Sequence, residues 1–235
     1  MLFAPDGDRH MRPLIGTSTM NAISQSRRCD YPELMTPVWF VAALLPMIAS
    51  QILRLHQHDA ASWLFWDYAG RLCGLAVLAA IPAARAVAFR REVRRLPLWK
   101  IALWIAGIVL MCIGMVGLGR IINATFPMTV LGGYPRPHGW LRFVDLTFGL
   151  ALVALSEQII FRRCARRMLQ PHLGDGPLLV LATSLLFGAY HWWTGLGSVI
   201  GVSMTGALFM LFYQRSVALW PVILAHYFVD LYFFA

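Results

Sequence analysis

The chain is 235 residues long, 59% hydrophobic and only 13% charged, with a mean hydropathy of +0.63. Soluble domains carry about 25% charged residues, so this composition excludes an ordinary soluble enzyme and specifies a polytopic membrane protein. The formal net charge of +9 does not point to nucleic acid, because the basic residues gather between apolar segments, where membrane topology requires them.

Residues 1–34 are polar and mixed, and predict a loosely ordered tail ahead of a membrane domain over 35–235. No cleavable signal is visible, so the first apolar run reads as a retained anchor. Spans are predicted at 36–55, 61–88, 98–122, 140–169, 178–193, 198–213 and 217–234, an all-α bundle of about seven transmembrane helices. Asp67 and Arg71 lie four apart in the second span and are expected to form a structural ion pair. A basic run, Arg90 to Arg95, follows that span. Between Asn123 and Gly139 runs an irregular loop, broken by Gly132, Gly133, Pro135 and Pro137.

Trp192 and Trp193 are expected to anchor an interface, and Gly195, Gly197, Gly201 and Gly206 to allow close helix approach. Cys29, Cys73, Cys112 and Cys164 are too scattered for a disulfide framework or a cysteine-based zinc site. His56, His58, His138 and His172 fall in loops or turns and receive no role. With seven spans, the main arginine clusters share one side, so the positive-inside rule puts the N-terminus in the cytoplasm and the C-terminus outside.

The chemistry concentrates in the core over 140–235. Glu157, His191, His226 and Asp230 interrupt segments otherwise apolar enough for a bilayer. An ionisable group there costs at least ~2.5 kcal/mol on insertion scales, so it normally marks a pathway or a site. At 1.5 Å rise per residue, Glu157, His191 and His226 all reach depths of roughly 15–20 Å from one side. Phe187 shares a helix face with His191, and His226 shares one with Asp230, whose carboxylate is expected to accept from the imidazole and fix its tautomer. Glu157 has no cation at helical spacing and suits a general base acting on water, with a histidine polarising the carbonyl or holding the oxyanion.

Glu157-Gln158-Ile159-Ile160-Phe161-Arg162, Phe187-Gly188-Ala189-Tyr190-His191 and His226-Tyr227-Phe228-Val229-Asp230 form an ordered set. It resembles the three motifs of the CAAX-prenyl-protease and bacteriocin-processing (Abi) membrane endopeptidases: Glu-Glu-x-x-x-Arg, Phe-x-x-x-His and His-x-x-x-Asn or Asp. The resemblance implies an intramembrane endopeptidase with Glu157, His191 and His226 catalytic and Phe187, Arg162 and Asp230 in support. Arg162 is then expected to orient acidic groups or hold its helix. Gln158 stands where the family usually has a second glutamate, keeping hydrogen bonding but losing charge. Two histidines and a carboxylate could also ligate zinc. The tighter His-Glu-x-x-His spacing is absent, so a metal-free, glutamate-activated water is favoured.

The expected substrate is a membrane-anchored or hydrophobic peptide: a prenylated C-terminus, a leader, or a C-terminal sorting signal. The setting is a bilayer, the expected location a bacterial inner membrane. The alternative is a non-enzymatic carrier or inactive scaffold burying the same cluster.

Overall fold

Long apolar runs punctuated by proline and polar turns fold here as helices, because a bilayer leaves no other way to satisfy backbone groups. The computed structural model describes residues 36–92 and 95–235. The expected N-terminal tail lies outside the described residues. Helix α1 spans Thr36–Arg54. Helix α2, Ala60–Ala80, begins at Asp59, whose carboxylate accepts from the Ser62 amide at 2.8 Å.

The second predicted span is not continuous. Pro82 holds Ile81 in extended backbone, and α3, Pro82–Ala88, leaves α2 at 112°. Helix α4 is Leu98–Thr125, and α5 is a 35-residue helix, Gly139–Leu173. Helices α6 (Pro177–Tyr190), α7 (Leu196–Ser216) and α8 (Trp220–Phe234) complete the bundle. Four of these, α1, α4, α5 and α7, are long and apolar enough to cross a membrane; the bent α2–α3 pair makes five. Against the seven predicted spans, α6 and α8 are apolar but only 14 and 15 residues long. The chain is a multi-pass integral membrane protein.

Hydrogen bonds sort the helix ends into two sets. At one end Arg163 donates to the Ala88 carbonyl (2.6 Å), the Arg95 amide to Ser216 (2.8 Å), and Gln214 to Asp175 (3.3 Å). Glu92 belongs to this end and accepts from Tyr213 (2.5 Å), Arg163 (2.7 Å) and Arg90 (3.0 Å). Burial alone would raise its carboxyl, but these three donors hold it below the usual carboxylate range. At the other end Asn123 donates to the Thr194 carbonyl (3.1 Å), Trp192 to Gln51 (3.0 Å), and Arg142 to the Ala235 carbonyl.

The loop between α4 and α5 is shorter than expected, since α4 continues to Thr125. It carries one tight turn, Pro127–Thr129, and the amides of Leu131 and Gly132 both donate to the Trp193 carbonyl, at 3.0 and 3.2 Å. The core is aromatic, with Phe161, Phe187, Phe209, Phe212 and Tyr213 buried between α5, α6 and α7. Trp99, Leu103, Leu110 and Ile121 of α4 are exposed and form a lipid-facing surface.

Small residues set the close approaches. Gly197 lies against the Gly119 carbonyl, and Gly206 against Phe187 and Ser184. Gly195 takes a positive φ of 98°, open to glycine at little cost, and Gly201 borders open space. The tightest contact was not expected: a Cβ on Gly188 would collide with Ser203 Oγ and the Val199 carbonyl of α7. Gly188→Ala is therefore expected to cost about 1–3 kcal/mol by forcing α6 from α7. Gly107→Ala on α4, where nothing lies within 4 Å, should instead gain up to about 1 kcal/mol of helix propensity. Thermal unfolding in detergent separates the two, and equal midpoints would disprove the close approach.

Candidate active site

Helix α5 is interrupted twice by wider π turns, Asp145–Gly149 and Ile159–Cys164. Such turns insert a residue and re-aim the side chains around them. The second follows directly on Glu157 and Gln158, both fully inside the bundle. His191 comes from the turn that ends α6, and His226 from the second turn of α8.

Three helices thus deliver one cluster. Glu157 Oε2 lies 3.9 Å from His191 Nε2 and 3.8 Å from His226 Nε2, and has no hydrogen-bond partner of its own. His191 Nδ1 is 2.9 Å from the Phe187 carbonyl. A carbonyl only accepts, so Nδ1 carries the hydrogen and a neutral ring turns its Nε2 lone pair toward Glu157. His226 has the opposite arrangement. The Gln158 amide nitrogen donates to His226 Nδ1 at 2.8 Å, which leaves the hydrogen on Nε2.

Asp230 stands elsewhere than expected. Its Oδ2 is 3.4 Å from His226 Nε2, the nitrogen that faces Glu157, because the i, i+4 spacing brings it to that side of the ring. The contact is a near approach without hydrogen-bond alignment. Gln158, not Asp230, makes the bond that sets the His226 tautomer.

Of the two roles expected for Arg162, orienting an acid or holding its helix, the first finds no direct contact. The side chain is 0% exposed, and none of its three nitrogens has a hydrogen-bond partner among the described residues. It orients no acid; its guanidinium lies over Phe187 (4.7 Å) and Phe209 (5.8 Å). Those rings in turn touch the histidines, Phe187 against His191 at 5.1 Å and Phe209 against His226 at 5.0 Å.

The sequence offers Glu157 no cation at helical spacing on its own helix. The structure supplies one from α2: Arg71 donates to Glu157 Oε1 at 2.8 Å and to Ser156 Oγ at 3.2 Å. Arg71 also pairs with Asp67 at 2.9 Å, the expected i, i+4 contact. Asp67 accepts further from Arg54, whose guanidinium sits between Trp63 (4.4 Å) and Trp193 (4.3 Å). Trp193 is therefore buried at the site rather than at an interface. A signal for this chain was available: Arg54 and Arg71 outnumber Asp67 in the first two spans, and an unmatched intramembrane arginine needs a carboxylate elsewhere.

These groups line a cavity of about 460 Å³. Met115, Val153, Val202, Val229 and Phe233 give it apolar walls, while Glu157, His191 and His226 share its polar lining with Asp230, Arg120, Asn123 and the Arg54, Asp67 and Arg71 side chains. Tyr134 of the α4–α5 loop also lines it; its hydroxyl donates to Asp145, which accepts from Tyr68 as well (2.5 Å), and its ring packs on Phe234 at 4.4 Å.

The three donors are not arranged as a preformed metal site. Arg71 occupies one oxygen of Glu157, and His226 presents hydrogen rather than a lone pair. Among the described residues no group of three His, Cys, Asp or Glu could hold a metal.

Residues 139–232 match the model of one protein family, described as type II CAAX prenyl endopeptidase, Rce1-like. That segment, less than half of the chain, is similar to the Rce1-like family. No curated protein matches it, and no solved structure does either. The Rce1-like segment begins with α5 and runs through most of α8, so it contains Glu157, His191 and His226. Arg54, Asp67, Arg71 and Tyr134 lie outside the matched segment.

Tyr134→Phe removes one of the two donors to Asp145, a bond worth about 1 kcal/mol. Limited proteolysis of detergent-solubilised protein is expected to cut the 126–138 loop faster in this variant. An unchanged rate would show that the bond does not hold the loop.

Proposed function

We propose that the protein hydrolyses a peptide bond of a membrane-associated substrate with a water activated by Glu157. The observation that carries this reading is the free, buried Oε2 of Glu157, facing both histidine Nε2 atoms on the wall of a cavity. A water there passes one proton to Glu157 Oε2, while its other hydrogen stays on the oxygen and is hydrogen-bonded to His191 Nε2. The oxygen attacks the scissile carbonyl carbon, and the resulting oxyanion accepts from His226 Nε2–H. Collapse of the tetrahedral intermediate breaks the C–N bond, and the leaving amine takes the proton back from Glu157. A new carboxyl and a new amine result, and the site is restored.

The apolar walls suit a substrate segment without charge, since an unpaired charge buried there would cost several kcal/mol. The basic end, with Arg85, Arg90, Arg91, Arg95, Arg166, Arg167 and Arg215, is assigned to the cytoplasm on the positive-inside rule.

Glu157→Gln is expected to lose about 10⁴-fold or more in kcat on a cleavable peptide, with expression and membrane insertion intact. Wild-type turnover would remove the general-base assignment. His226→Ala should be close to inactive, whereas Asp230→Asn should keep a measurable part of the rate, because its contact with the ring is not an aligned bond. Equal and complete loss in both would make the charge of Asp230 a requirement. Active, detergent-solubilised protein is expected to contain less than one zinc per chain by elemental analysis and to survive prolonged chelation. Stoichiometric zinc that disappears in His191→Ala would replace this mechanism with a metal-bound one using Glu157, His191 and His226 as ligands.

A further inference from the structure

Glu157 has two oxygens, and only one faces the histidines. The other is held by Arg71, a residue of α2 that lies outside the matched segment. Arg71 is buried, and each side of its guanidinium is engaged: Nε with Asp67, Nη1 with Glu157 and Ser156. Asp67 is braced in turn by Arg54, itself clamped between two tryptophans. Four buried charges, alternating in sign, therefore run from α1 through α2 to the cluster on α5.

We infer that Arg71 is a positioning residue for the Glu157 chemistry, and that Asp67 and Arg54 hold Arg71 in place. The inference rests on the general-base reading of Glu157. By fixing Oε1, Arg71 removes rotation of the carboxylate and leaves Oε2 directed at His191 and His226. Among the described residues no other arginine or lysine hydrogen-bonds to Glu157. The planar fork matters as much as the charge. It meets Asp67 and Glu157 from adjacent edges, a geometry that a lysine ammonium does not reproduce.

A purely structural ion pair would also destabilise the fold when broken, so stability alone does not decide the question. The test uses the full-length protein in detergent, with thermal unfolding measured beside kcat and KM for Arg71→Lys, Asp67→Asn and Tyr213→Phe. Arg71→Lys is expected to lower kcat about 10- to 100-fold, as a catalytic group misplaced by about 1 Å does, with KM changed less than about twofold. Asp67→Asn should lose less, because its amide oxygen still accepts from Arg71. Tyr213→Phe, which removes the bond to Glu92 at the basic end of the bundle, away from this chain of charges and from the histidines, should lower the unfolding midpoint with a much smaller change in kcat.

Wild-type kcat in folded Arg71→Lys would overturn the inference, as would a kcat loss that simply tracks the unfolding midpoint across all three variants. If Arg71→Lys does not fold, Asp67→Asn decides alone, and an unchanged kcat there overturns it. Guanidinium ions added to Arg71→Ala should restore part of kcat without moving the unfolding midpoint. Failure of the underlying reading has a different signature: an active Glu157→Gln removes the general base, whereas an inactive Glu157→Gln beside a fully active Arg71→Lys removes only the positioning role.

Discussion

A guanidinium or carboxylate buried in the middle of this bundle costs several kcal/mol if it stands alone. Arg54, Asp67, Arg71 and Glu157 answer that constraint together, each charge meeting the opposite sign on its neighbour. The solution is geometric as well as electrostatic. Because Arg71 must touch α2 and α5 at once, the rotation of α2 about its axis is set relative to Glu157. That rotation also turns Trp63 inward, and the Arg54 contact draws Trp193 and the end of α6 into the same wall. The turn holding His191 is thereby tied to the first two helices.

Around this brace the helices come together through absent side chains. Gly188 lets α6 lie on α7, and Gly197 lets α7 lie on α4, so backbone meets backbone on one flank while the other stays open as the cavity. The α4–α5 loop then closes over the end of the bundle by two amide bonds to the Trp193 carbonyl. It reaches Asp145 through Tyr134, on the first widened turn of α5. Both widened turns thus serve the cavity, one holding its cover and the other following directly on its reactive carboxylate.

Much of this was legible in the sequence because hydropathy and motif spacing are local. The helices, the Asp67–Arg71 pair and the three residues of the cluster all follow from patterns within single segments. The bend at Pro82 was also written in the chain, though a continuous apolar run hid it. What was not legible depends on which faces meet across helices: Arg71 reaching Glu157, Gln158 reaching His226, Trp193 turned inward onto Arg54. The Asp230 expectation missed for a related reason. Helical spacing puts it beside the His226 ring but does not say which nitrogen it meets, and Gln158 already holds the other.

The two buried arginines near the site show how differently one side chain can be accommodated. Arg71 spends its donors on two carboxylates, so its charge is balanced locally and its orientation is fixed by hydrogen bonds. Arg162 has no hydrogen-bond partner among the described residues and lies on the faces of Phe187 and Phe209 instead, where the ring quadrupoles attract it. Cation–π attraction is worth about 2 kcal/mol when desolvated, less than the cost of burying the charge. Its position against those rings is nonetheless specific, because Phe187 packs on His191 and Phe209 on His226. The arginine of the first motif and the arginine of α2 thus meet the same cluster by separate routes, one through the aromatic rings behind the histidines and one through direct bonds to Glu157.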